Sequence, residues 1–382
     1  MGKNIVICCD GTRNHMRGSE CDWTNVAKLY KSLRADDYKN AKYISGIGTH
    51  GFRERYLGLG PLSGYGIEKN IKDAYKHICK LYKPYEDHIY LFGFSRGAYT
   101  ARSLAGFVRR VGLLLKDQDD ELIDRAYAHY RLGHRVRSDD PLKQLLHHIT
   151  RRSEPNEGER VLVYFIGVWD SVAALGPPVV PERIKQLSNY HSVELPDHVT
   201  HAYQALALHE LRDCYIPVFW SSKAKAKNLE QVWFAGAHAD VGGGYDDDTT
   251  LPDIALQWMQ NKASKASATS QPLMIEVGAN TGFEINGTSH IPYQPHNTID
   301  GWFNGFIPTH RNLFRNECKD LWPVWDTIKL HESVQSHWQN NHARNYQYSI
   351  PAVNEQLHEI DDRSLQFYCE QRSEYDIGFA SD

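Results

Sequence analysis

Two hydrophobic rhythms alternate along the chain. Asn4-Ile-Val-Ile-Cys-Cys-Asp10, Lys42-Tyr-Ile-Ser45, His88-Ile-Tyr-Leu-Phe92, Val161 to Trp169 and Gln231-Val-Trp-Phe-Ala235 are apolar runs of strand length. Runs without alternation are what strands buried on both faces require. Between them, apolar residues recur every three or four positions: Val26, Leu29, Tyr30 and Leu33; Ile67, Ile71, Tyr75 and Ile78; Leu104, Phe107, Val108 and Val111; Leu251, Ile254, Ala255 and Trp258. Each set predicts an amphipathic helix. The same helical spacing is read over His201 to Leu211, and Tyr215 to Trp220 reads as a further strand. Strands alternating with helices predict an α/β fold, a mostly parallel, doubly wound sheet with helices on both faces.

Punctuation refines this picture. Residues 117 to 158 are charged and helix-permissive, and they read as a helical insertion, a candidate lid, between sheet strands. Beyond about residue 262 the periodicity weakens. The expected organisation is one domain over 1–262, with an irregular portion over 263–382 packed on it. Gly46-Ile-Gly-Thr-His-Gly51 matches GxGxxG formally, but Phe52-Arg-Glu-Arg-Tyr-Leu-Gly-Leu-Gly-Pro61 follows it where a helix start is needed, so a dinucleotide site is not expected. A substrate-rim loop or a connector fits better.

Composition excludes several classes. A net charge of −4 gives no footprint for nucleic acid. The start lacks a secretory signal pattern, Val6 stands where a myristoylation signal needs Ser or Thr, and Val161 to Trp169 is too short to cross a bilayer. The expectation is a protein that is cytoplasmic as synthesised. Seven cysteines with no CxxC pair fit a reducing compartment, and Cys8-Cys9 read as small hydrophobes in a buried strand.

Chemistry enters at Gly93-Phe94-Ser95-Arg96-Gly97, a Gly-x-Ser-x-Gly between a strand run and a helical one. That is the setting of a nucleophile elbow, in which a sharp turn lifts the serine hydroxyl clear of the backbone. A serine needs an imidazole base, and the imidazole needs a carboxylate to orient it. Asp170 closes the run Val161 to Trp169, and His238 follows the run Gln231 to Ala235. Catalytic groups gather at the carboxyl ends of parallel strands, so Ser95, Asp170 and His238 are the expected triad. Asp240 is an alternative acid or metal ligand, His331 in Leu330-His-Glu-Ser-Val334 an alternative base, and Asp170 alternatively a helix cap. Oxyanion donors are expected at Arg96 N–H, after the nucleophile, and at Gly11 or Thr12 in the turn Asp10-Gly-Thr-Arg-Asn14. Asp10 is a candidate for orienting that turn.

Six blocks together carry a resemblance: Asp10 to Asn14; Gly46-Ile-Gly-Thr49; Gly93 to Arg102; Gly167-Val-Trp-Asp-Ser-Val172; Ala205-Leu-Ala-Leu208 with Arg212; and Trp233 to Tyr245. They resemble the α/β-hydrolase family, long called a domain of unknown function, that includes phospholipase effectors of bacterial type VI secretion. The resemblance runs from about residue 3 to 260 and implies a lipase-type serine hydrolase without a cofactor or metal. It puts the family's nucleophile on Ser95, its acid on Asp170 and its base on His238. It further implies a lipid or other acyl-ester substrate, transient contact with a membrane surface, an immunity protein as a conceivable partner, and delivery by a contact-dependent secretion system. The chain departs from the effectors in lacking room for large membrane-contacting additions, and in having His209-Glu210 where relatives often have Asp-Glu. Two other readings compete: a metal-dependent hydrolase using Asp10, Asp170, His238 and Asp240, and a non-catalytic binding module on the hydrolase scaffold.

Overall fold

The computed structural model describes residues 2–16, 22–48, 65–114, 120–132, 150–151, 161–172, 195–210, 212, 215, 217–220, 226–266, 272–273, 275, 296, 329–331 and 378–380. Strand β1 (Asn4–Cys9) leads through helices α1 (Asn25–Ser32) and α2 (Ala35–Tyr38) to β2 (Ala41–Ile44). Helix α3 (Tyr65–Leu81) then precedes β3 (His88–Phe94), and α4 (Arg96–Val111) follows it. A two-stranded antiparallel ladder, β4 (Leu113–Leu114) with β5 (Thr150–Arg151), brackets helix α5 (Asp120–Leu132). Of the insertion read over 117–158, α5 and β5 are described and the remainder lies outside the described residues. Next come β6 (Val163–Trp169), β7 (Val199–Ala207), β8 (Asn228–Phe234), the short α6 (His238–Gly242) and α7 (Thr250–Ala266). From beyond residue 262, β9 (Lys329–His331) and β10 (Gly378–Ala380) add to the sheet edge.

All pairings in the eight-stranded sheet, ordered β10-β9-β8-β7-β6-β3-β1-β2, are parallel. The first strand shows why the apolar runs do not alternate. Ile5, Ile7 and Cys9 enter one core with α3 and α4, while Val6 and Cys8 enter the other with α1 and α7. Both faces of the strand are buried, so every position is apolar. The two adjacent thiols therefore lie in different cores, and burial pushes the Cys9 thiol up to about 12. Neither is a reactive thiolate.

The stretch His201 to Leu211 departs from expectation: its described residues, 201–210, are strand β7 and the turn after it, not a helix. Ala202 packs on one face while Tyr203, Ala205 and Leu206 pack on the other. A strand apolar on both faces imitates helical spacing, and alanine gives no signal between the two. Tyr215 to Trp220 is likewise not a strand in its described residues; only Pro217 bridges, to Val172.

The chain leaves β1 toward α1 on one face and leaves β3 toward α4 on the other. Neighbouring strands whose connections diverge in this way open a crevice at their carboxyl ends, the usual binding position in a doubly wound sheet.

Candidate active site

The elbow lies at this crevice. Ser95 joins β3 to α4 at φ 58° and ψ −124°, a conformation outside the regions an L-residue ordinarily occupies. The flanking glycines are sterically required. A Cβ at Gly97 would lie 2.1 Å from the Cys9 carbonyl oxygen, and one at Gly93 would lie 2.5 Å from that of Gly97. Helix α4 thus starts directly on the end of β1. The start of a helix carries the positive end of its dipole, which favours negative charge at this position.

The other groups arrive on successive strand ends. Ser95 N–H donates to Trp169 O at 3.0 Å, so Asp170, the residue that follows β6, stands beside the elbow. Asp170 is fully buried and also left-handed, at φ 39°. Its Oδ1 accepts from Ala207 N–H at 3.1 Å, and its Oδ2 lies 2.6 Å from His238 Nδ1. That hydrogen bond orients the ring and leaves Nε2 as its other nitrogen. Phe94, the residue before the serine, packs its ring on the imidazole at 4.6 Å and so sets His238 against the elbow's own turn.

The turn after β1 closes the opposite side. A Cβ at Gly11 would lie 3.3 Å from Ser95 Cβ. Asp10 holds the turn: it accepts from Gly11 N–H at 2.7 Å and from the Tyr43 hydroxyl, and the Thr24 hydroxyl lies 2.9 Å from both its oxygens. Burial raises the Asp10 pKa to about 6 against the effect of these hydrogen bonds. Because Gly11 N–H is engaged by Asp10, the turn's expected oxyanion donor moves to Thr12. Gly46 and Ile47, from the GxGxxG-like stretch, brace the turn: Gly46 N–H donates to Asn14 O at 2.9 Å and Arg13 N–H to Ile47 O at 3.0 Å. Residues 49–51 of that stretch lie outside the described residues.

Of the alternative residues, Asp240 is described with its partners and His331 by its backbone alone. Asp240 turns to its own helix and to His296: its Oδ2 accepts from Ala237 N–H and His296 N–H at 2.8 and 2.9 Å, and its Oδ1 lies 2.5 Å from His296 Nδ1. His296 Nε2 reaches Asp247 at 3.0 Å, and its ring stacks on Tyr245 at 3.9 Å. Burial opposes the charged ring, but Asp247 and Asp240 outweigh it and raise the His296 pKa. Nothing in the sequence signalled this clasp. His331 ends β9, three strands from β6, and its side chain lies outside what is described. Among the described residues, no three His, Cys, Asp or Glu side chains are grouped so as to hold a metal ion.

Sequence reading also left Glu210 and Arg212 without a role. Glu210 is fully buried; its Oε2 accepts from His238 N–H at 3.2 Å and from Arg212 Nη2 at 2.7 Å, and its Oε1 accepts from Arg212 Nε at 2.8 Å.

A family model described as the type VI secretion phospholipase effector Tle1-like catalytic domain matches residues 3–262. The chain belongs to that family. This Tle1-like chain is 30% identical over 240 residues to the uncharacterized protein YEL023C of Saccharomyces cerevisiae, covering 57% of the present chain. It spans only 33% of that relative's length. Among solved structures it is similar to an uncharacterized protein from Pseudomonas aeruginosa, with a TM-score of 0.43, 18% identity, and coverage of 72% of this chain and 47% of the other. It is also similar to the Tle1 effector bound to the VgrG spike of the type 6 secretion system, with a TM-score of 0.37, 22% identity, and coverage of 64% and 51%. No helix among the described residues of this Tle1-like chain is long and apolar enough to cross a membrane.

Proposed function

We propose that the protein is a serine esterase of the phospholipase type, hydrolysing acyl esters through Ser95, His238 and Asp170. His238 Nε2 takes the proton as Ser95 Oγ attacks the ester carbonyl. Arg96 N–H, at the start of α4, and Thr12 stabilise the oxyanion, and Asp170 stabilises the imidazolium that forms. His238 then protonates the leaving alcohol, and water releases the acyl group by the same steps. The observation that carries this reading is the strained Ser95 turn set one ladder step from the buried Asp170–His238 pair. Strain at a polar residue persists where the surrounding structure enforces it, and such positions cluster at working sites.

Residues 1–262 form the catalytic domain in this reading, with the insertion around α5 as its lid. The substrate is a phospholipid reached by transient contact with a membrane surface, and family membership supports delivery by a type VI secretion system. Ser95→Ala is expected to lower turnover of a short acyl ester by several orders of magnitude and to abolish covalent labelling by a fluorophosphonate. Hydrolysis by the variant at the wild-type rate would sink the mechanism.

A further inference from the structure

His238 is held on four sides. Asp170 binds Nδ1 at 2.6 Å, Phe94 packs on the ring, Tyr215 meets it edge-on at 4.6 Å, and Glu210 accepts from its backbone N–H. The last two belong to one assembly. Glu210 grips Arg212 through two side-chain hydrogen bonds and through Arg212 N–H at 2.8 Å. The Arg212 guanidinium then lies over the Tyr215 ring at 3.9 Å, and Tyr215 N–H donates to Arg212 O at 3.0 Å. A single carboxylate thereby fixes both the backbone from which the imidazole springs and the aromatic ring that limits its swing.

We propose that Glu210 is a positioning residue for His238, acting through its ion pair with Arg212 and through the Tyr215 ring. The proposal rests on the serine-hydrolase reading above. Stability alone is a poor reason for this pair. Glu210 has no exposed surface and the Arg212 side chain only 15%. Desolvation of such a pair generally cancels its attraction, and apolar residues of similar volume serve as well. What apolar residues cannot supply is an acceptor for His238 N–H and a cation over Tyr215. A general base must stay within hydrogen-bond reach first of the nucleophile and then of the leaving group, and a misplacement of about 1 Å costs about a hundredfold.

The test compares wild type with Glu210→Gln and with the double variant Glu210→Leu/Arg212→Leu. The double variant removes both charges together and leaves no buried ion unpaired. Three quantities are measured: thermal melting, kcat and KM on a short acyl ester, and the low-field proton signal of His238 Nδ1–H in histidine-labelled protein, assigned by its absence in Asp170→Asn. A positioning role predicts a double variant that melts close to wild type, with kcat lowered about a hundredfold, KM unchanged and the low-field signal broadened or lost. A double variant with the wild-type kcat and an unaltered signal overturns it and makes the pair scaffold. Should the double variant not fold, Glu210→Gln decides by the same readouts. If the wild type hydrolyses no ester, the low-field signal still decides the positioning role, and only the hydrolase reading falls.

Discussion

Asp170 does two things with one carboxylate: Oδ1 takes Ala207 N–H and Oδ2 takes the His238 ring. Asparagine at 170 can keep the first contact, but its amide nitrogen then faces Nδ1 and forces the wrong tautomer. Asp170→Asn is therefore expected to fold normally and to lose about 10³ to 10⁴ in kcat with little change in KM, measured on a short acyl ester with melting as control. Asp10 is governed by burial instead. Its folded pKa of about 6 lies above the ordinary 3.8, so the folded state holds the proton more tightly. The stability it contributes is full below pH 3.8 and falls by about 3 kcal/mol as pH rises to about 6. Denaturant midpoints across that window should show the fall, and Asp10→Asn should flatten it. Ser95, Asp170 and His238 were legible because each ends or follows an apolar run. Glu210 and His296 were not, because neither follows an apolar run, and the groups that reveal them, His238 and Asp240, stand 28 and 56 positions away.

Elements meet where side chains are absent or clasped. Alanine normally improves a helix over glycine by roughly 0.5–1 kcal/mol, yet at Gly97 its Cβ would strike the β1 backbone. Gly97→Ala is expected to cost about 3 kcal/mol or more, read as a lowered denaturation midpoint. The His296 clasp has a pH sign of its own. The raised His296 pKa means that the clasp is complete below the ordinary histidine value of 6.5 and is lost as pH rises through the higher folded value. The Asp240 pKa is itself raised by burial, so the pairing also weakens at low pH as that carboxylate protonates. The melting difference between wild type and His296→Ala should peak in mild acid and shrink in alkali. It should amount to only about 1 kcal/mol, since Asp247 is exposed and screened. The element most plainly misread, β7, shows the limit of pattern reading: buried polar His201 and Gln204 interrupt its apolar run and leave Ala202, Ala205 and Leu206 at helical spacing.

At the scale of the whole molecule, a mostly parallel, doubly wound sheet with helices on both faces was foreseeable from the alternation of runs and helices. The two edge strands from the C-terminal portion were not, because three-residue strands leave no signature. Their place has a testable effect: β9 covers Val232 and Trp233 of β8. A chain ending at residue 266 bares that edge and is expected to self-associate on size exclusion where the full chain does not. The order of strands across the sheet also sets a schedule. The ribosome delivers the proposed nucleophile first, its proposed acid 75 residues later and its proposed base 68 residues after that, from the positions 95, 170 and 238. At roughly 5–20 residues per second, the serine waits many seconds for a partner. A nascent or truncated chain in that interval carries the elbow but not His238. On the proposed mechanism, unfinished copies of the chain therefore carry no activity.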